Sequence, residues 1–225
     1  MMNFKLSCVL FDLDGTLVDT APDLLACLDI ALLQHGFAKA DPAQVKPFIS
    51  YGAAAMIDMS LDDEVPEAIR TMLLTTMLDC YQHNIAEYSR FFEGIPDLLA
   101  SLEARGLKWG VVTNKRERFT QPLMAALNLT HRAACIISGD TTANPKPHVE
   151  PMLAACKQAQ THPLECVYIG DASHDITAGK AAQMKTLAAL YGYLKPTDTP
   201  ETWGADALIA TPKHLANWID SVLCH

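Results

Sequence analysis

Leu6-Ser7-Cys8-Val9-Leu10-Phe11-Asp12-Leu13-Asp14-Gly15-Thr16 runs from an apolar stretch into two carboxylates and a glycine. A short, almost continuous apolar run is the pattern of a strand buried on both faces. The acids and glycine at its end turn the chain. The same pattern returns at residues 107–114, 133–140, 165–171 and 186–191, and in shorter form at 205–209. Helical spacing fills the gaps. Leu98, Leu99 and Leu102 recur within residues 97–105, with Gly106 as a stop signal, and Leu123, Met124 and Leu127 within 117–128. Residues 150–158 and 175–184 supply two more helices. Buried strands alternating with helices specify an α/β class with a Rossmann-like parallel sheet.

One long stretch breaks the alternation. Residues 20–88 read as helices only. Thr20-Ala21-Pro22-Asp23 carries a capping signal, and Leu24, Leu25, Leu28 and Leu32 form a stripe that Gly36 ends. Residues 42–48, 53–59 and 66–83 are helical as well. The organisation expected is a core of residues 1–16 plus 92–225 and a small helical cap domain of residues 17–91, with Gly94 and Pro96 marking re-entry. The Leu and Met stripes of the insert are packing surfaces.

Composition narrows the function. Half of the 225 residues are apolar and 19% are charged, which is globular and large enough for a sizeable core. A net charge of -9 argues against nucleic acid or an anionic membrane as partner. It also repels a phosphorylated ligand at long range, so a phosphate site needs a local cation or metal. The seven cysteines, Cys8, Cys27, Cys80, Cys135, Cys156, Cys166 and Cys224, form no C-x-x-C pair. Buried free thiols in a reducing cytoplasm are expected. Residues 4–11 read as a strand and not as a signal peptide, and no apolar run approaches membrane-spanning length. Monomer and homodimer both stay open.

Ligands of open α/β sheets bind beyond the carboxyl ends of the strands, and the polar residues collect there. Asp12 and Asp14 end the first strand; Thr113, Asn114 and Lys115 end the second; Asp171 ends the fourth, with Asp175 one helical turn on. Lys146 lies in the loop Asn144-Pro145-Lys146-Pro147. Clustered carboxylates raise one another's pKa, and a hard divalent cation such as Mg2+ resolves the conflict. A carboxylate can attack phosphorus, a second can move the proton, and the hydroxyl, amide and ammonium can hold phosphate oxygens. Each residue also has a plainer reading. Asp12 and Asp14 suit a turn, Thr113 and Asn114 a helix cap, Lys146 a solvated loop and Asp175 a helix-start acid. His174 and the basic residues Lys39, Lys46, Arg70 and Arg90 suit solvated positions.

Asp12-Leu13-Asp14-Gly15-Thr16, then Thr113, Lys146 and Gly170-Asp171-x-x-x-Asp175, resemble in order the four motifs of the haloacid dehalogenase superfamily. Residues 11–23 and 178–193 look most like phosphoglycolate phosphatases. Residues 109–115, 144–152 and 202–209 look more like the related N-acetylmuramic acid 6-phosphate phosphatases. The resemblance implies a phosphatase with a Mg2+ cofactor, a helical cap and a small phosphorylated metabolite as partner. It implies Asp12 as nucleophile and metal ligand. Asp14 would be acid and base, with its carbonyl on the metal; Asp171 would be the third ligand, and Asp175 would support the metal or its waters. Thr113, Asn114 and Lys146 would bind the phosphoryl group, helped by backbone N–H groups near Leu13 and Asn114. Gln183 departs from the family's usual glycine at a helix end. A sugar-phosphate mutase is the alternative within the superfamily, and a non-catalytic regulatory protein the alternative outside enzymes.

Overall fold

The computed structural model of the chain describes residues 4–223. In chain order its elements begin with strands β1 (Cys8–Phe11) and β2 (Val18–Asp19). The helices α1 (Ala21–Gln34), α2 (Pro42–Val45), α3 (Ala53–Met59) and α4 (Glu67–His83) follow. Then come β3 (Arg90–Phe91), α5 (Ile95–Ala104), β4 (Lys108–Val112), α6 (Glu117–Ala126), β5 (Cys135–Ile137) and α7 (Glu150–Ala159). The last elements are β6 (Cys166–Gly170), α8 (Ser173–Ala181), β7 (Lys185–Ala189), β8 (Ala207–Ile209) and α9 (Pro212–Leu223). Six strands form one sheet in the order β5-β4-β1-β6-β7-β8, parallel throughout.

β1 is central because every residue in it is buried and alternate side chains serve opposite faces. Val9 and Phe11 pack with Leu98, Leu99 and Leu102 of α5 and Leu215 and Ile219 of α9. Cys8 and Leu10 pack on the other face with Met152 and Ala155 of α7 and Ala178 of α8. The chain leaves β1 for β4 and β5 on one side, then crosses to β6, β7 and β8 on the other. The strand order thus reverses at β1, and Phe11 pairs with both Val111 and Ile169. The ends of β1, β4 and β6 therefore open onto one crevice.

The helices after β2 bury their own stripe. Leu24, Leu28 and Leu32 of α1 meet Leu73, Met77 and Tyr81 of α4, spaced at intervals of one turn. Phe119 and Tyr193 join the same cluster and tie it to the sheet layer. The helix expected at 42–48 stops at Val45 and tightens into a 3-10 segment, Lys46–Tyr51. Pro47 explains this, since it cannot donate the next α-type hydrogen bond. β2 and β3 pair antiparallel through Val18 with Phe91 and Asp19 with Arg90. They lie where connecting segments alone were expected, and strands this short show no periodicity. α9, also absent from the sequence expectation, packs through Leu215 and Ile219. Gln183 takes φ 61°, the left-handed geometry expected for the family's glycine. Six cysteines are free thiols, and Cys224 lies outside the described residues.

Candidate active site

The end of β1 delivers Asp12, whose N–H donates to the Ile169 carbonyl at 2.8 Å. Its side chain is almost fully buried, and Lys146 Nζ lies 2.8 Å from Oδ1. Lys146 is buried too, which removes the solvated-loop reading. Its ammonium meets four oxygens: Asp12 Oδ1, Asp175 Oδ1 at 2.7 Å, Tyr168 Oη at 2.9 Å and Val112 O at 3.0 Å. Three ammonium protons are shared among them.

Asn114 holds the lysine's loop in place. Its Nδ2 donates to the Lys146 carbonyl at 3.0 Å, and its Oδ1 accepts the Lys146 N–H at 2.9 Å. Both ends of the amide thus engage the backbone of Lys146, and one Nδ2 proton is left over. Asn114 still borders the cavity, where its backbone N–H is available. Thr113 is buried, and its Oγ1 accepts the Lys115 N–H at 3.1 Å while its own proton stays free for a ligand. The N–H groups of Leu13 and Asn114 donate to no atom of the described residues.

Asp175 opens α8. Its Oδ2 accepts the Ala172 N–H at 3.0 Å, and its Oδ1 takes Lys146 and the Tyr168 hydroxyl at 3.0 Å. Burial works against its ionisation, but Lys146 outweighs that and holds its pKa below the ordinary value. Asp171 accepts the Tyr193 N–H at 2.7 Å and the Ser50 hydroxyl at 2.9 Å, both on Oδ2. Burial and the charges of Asp12 and Asp175 push its pKa well up. A Cβ on Gly15, which has φ 83°, would collide with this carboxylate, so the turn after β1 needs glycine twice over. Asp12 is pushed up to about 7, chiefly by burial, against the pull of Lys146.

Asp12, Asp171 and Asp175 each bring a carboxylate oxygen within 4.8 Å of the others. Three buried carboxylates with one ammonium among them make an anionic, all-oxygen site that fits a hard divalent cation. Asp175 already serves Lys146, Tyr168 and Ala172, so it suits a supporting place, while Asp12 and Asp171 keep oxygens to offer. The Asp14 side chain turns elsewhere, to Lys115 Nζ at 3.0 Å and Thr20 Oγ1 at 2.5 Å.

A cavity of about 590 Å3 stands over this edge. Asp12, Asp14 and Thr113 line it from the sheet, and Ser50, Leu78 and Tyr81 from the helices. His174, expected on the surface, is 16% exposed and packs edge-on to Tyr51 with centroids 6.1 Å apart. The sequence expectation missed the contacts of Lys115, Tyr168, Ser50 and Tyr193. Lys115 carried a signal as the polar end of its strand, and Tyr168 as a hydroxyl in an otherwise apolar strand. Ser50 and Tyr193 reach Asp171 from segments more than a hundred and about twenty residues away, which no spacing rule anticipates.

The sequence profile of the haloacid dehalogenase-like hydrolases matches residues 9–189. An N-acetylmuramic acid 6-phosphate phosphatase of Pseudomonas aeruginosa is 41% identical over 228 residues, covering 100% of this chain and 99% of its own. A phosphoglycolate phosphatase of Xylella fastidiosa is 40% identical, covering 92% of this chain and 90% of its own. Among solved structures, a chain from Haemophilus somnus described as a predicted phosphoglycolate phosphatase superposes with a TM-score of 0.84 at 26% identity. That match covers 97% of this chain and 99% of the other.

Proposed function

Because the chain belongs to the haloacid dehalogenase-like hydrolase family and is a phosphoric monoester hydrolase, we propose that it hydrolyses a small phosphorylated metabolite through an aspartyl-phosphate on Asp12. The observation that carries this is the buried contact of Asp12 with Lys146, which line the cavity with Asp14, with Asp12 within one ion's reach of Asp171. Asp12 attacks phosphorus while Asp14 gives a proton to the leaving oxygen. Water then attacks the aspartyl-phosphate and Asp14 takes its proton. Thr113 Oγ1 and the N–H groups of Leu13 and Asn114 hold phosphoryl oxygens. Lys146, in contact with Asp12, balances the charge that gathers there.

Asp12, Asp171 and the backbone carbonyl of Asp14 would hold Mg2+, with Asp175 in support. When bound, the ion neutralises the carboxylates and draws charge from the phosphoryl oxygens. Residues 17–91 act as the cap over a core of residues 1–16 and 92–225, and the cap closes the cavity against water. Phosphoglycolate and N-acetylmuramic acid 6-phosphate are the leading substrates, because relatives about 40% identical carry those names. Those relatives are phosphatases, which disfavours the mutase alternative. Six free cysteines support a reducing cytoplasm as its compartment, and no helix among the described residues is long and apolar enough to cross a membrane.

The test is a magnesium-dependent screen over phosphoglycolate, N-acetylmuramic acid 6-phosphate, other sugar 6-phosphates and nucleotides, ranked by kcat/KM, with Asp12→Asn beside the parent chain. Loss of turnover in Asp12→Asn is expected. Full activity in that variant sinks the mechanism.

A further inference from the structure

A second buried lysine stands at the cavity wall without a task in this chemistry. Lys115 follows Thr113 and Asn114 after β4, and its side chain is 8% exposed. Its Nζ lies 3.0 Å from Asp14 Oδ1 and 3.2 Å from Oδ2. On its other side is the ring of Tyr81 from α4, with the centroid 4.5 Å away. That ring is itself fixed by packing on Phe119, centroid to centroid 5.5 Å. The ammonium is thus sandwiched between a carboxylate and an aromatic face, both of which attract it. Unlike Lys146, it touches neither Asp12 nor Asp171.

The donors on Asp14 are unevenly divided. Oδ1 accepts from Lys115 and also from the Thr20 hydroxyl at 2.5 Å. Oδ2 accepts from Lys115 alone. A carboxylate oxygen offers two lone-pair directions, so Oδ1 is filled and Oδ2 keeps one open. We propose that Lys115 is a positioning residue for Asp14, fixing the carboxylate plane so that Oδ2 is the atom that passes the proton. The inference rests on the phosphatase reading above. In the first step the bond from Asp12 to phosphorus forms, the bond to the leaving oxygen breaks, and the proton on Oδ2 goes to that oxygen. In the second step water attacks phosphorus, its proton goes to Oδ2, and the bond to Asp12 breaks.

Leaving groups separate this role from a merely structural one. Lys115→Met keeps the aliphatic stem and removes the charge. The parameter kcat/KM covers the steps up to release of the leaving alcohol, so it reports proton donation. With an alkyl phosphate that the parent chain turns over, Lys115→Met should lose about 100-fold in kcat/KM, in the range of a general acid's contribution. With p-nitrophenyl phosphate, whose phenolate departs without a proton, the loss should stay below about 10-fold. Asp14→Asn should show the same split, and Thr20→Val a smaller split in the same direction. Equal losses on the two substrates, or none, overturn the proposal. Should Lys115→Met fail to fold, as judged by circular dichroism, Thr20→Val carries the test, and the absence of a split in it overturns the proposal. A parent chain inactive on every phosphoester with magnesium would instead defeat the phosphatase reading, a result the split cannot mimic.

Discussion

Lys146 Nζ and Asp175 Oδ1 lie 2.7 Å apart, and both side chains are wholly buried. Removing one partner of a buried pair leaves an uncompensated charge and costs about 3–5 kcal/mol. Lys146→Met leaves Asp12 and Asp175 facing each other without their shared cation. It should therefore lower stability by an amount in that range. Urea unfolding measures this through the midpoint at constant slope. Magnesium should recover part of the loss, because it supplies the missing positive charge. A midpoint equal to the parent's would show that the pair does not hold this edge together.

Removing metal tests the carboxylate group as a whole. Asp12, Asp171 and Asp175 are buried within reach of one ion, and burial pushes both Asp12 and Asp171 up. A ligand that binds only the folded chain adds about 2.7 kcal/mol when present at 100 times its Kd. Chelation should lower Tm, and adding magnesium back should raise it in a concentration-dependent way. For a chain of this size a gain of that order moves Tm by several degrees. The same titration on Asp171→Asn should be nearly flat. A Tm indifferent to magnesium in the parent chain would remove the ion from this site.

The strands and the residues at their ends were legible because both follow local rules. β1, β4 and β6 are apolar runs whose next residues are polar, so the sequence alone places Asp12, Thr113 and Asp171 on one edge. Lys146 was harder, since a lysine between two prolines has a solvated loop as a fair rival reading. Its burial excludes the loop reading, and the clamp from Asn114 that holds it there is a contact over 32 positions that no local pattern encodes. Asn114, expected to bind phosphate, also holds the Lys146 backbone through its side-chain amide. Tertiary contacts of this kind also join Ser50 to Asp171 and Tyr81 to Lys115. They are set by how the helical stretch lies on the sheet, which the helical periodicity does not specify.

Ser50 makes one of those contacts testable. Its hydroxyl donates to Asp171 Oδ2 at 2.9 Å, beside the Tyr193 N–H at 2.7 Å. Partners that orient a metal-binding carboxylate contribute about 10- to 100-fold to affinity. Ser50→Ala should raise the magnesium concentration needed for half-maximal turnover toward the lower part of that range. The Tyr193 N–H remains in place, and turnover at saturating magnesium should change little. A lower turnover at saturation with an unchanged magnesium requirement would point to Ser50 touching substrate instead.

Asp206 offers a pH test well away from the carboxylate cluster. It precedes β8 and accepts the Thr186 N–H of β7 at 2.8 Å, while Lys185 Nζ lies 2.5 Å from its other oxygen. Burial favours its neutral form, but Lys185 and the Thr186 N–H outweigh this and hold its pKa below the usual 3.8. A carboxyl group with a lowered folded pKa stabilises the fold above its unfolded pKa and loses that contribution as pH falls through the folded one. Asp206→Asn keeps an acceptor for Thr186 and removes only the charge. At pH 7 it should therefore cost on the order of 0.5 kcal/mol, the scale of a solvent-screened pair. The gap should narrow as pH drops below about 5, where the unfolded chain begins to take up the proton. Thermal scans of parent and variant from pH 7 toward pH 3 measure the difference, and the buried carboxylates of the crevice cancel because both chains share them. A gap that stays constant over this range would assign the effect to packing at the β7 to β8 connection, and not to charge.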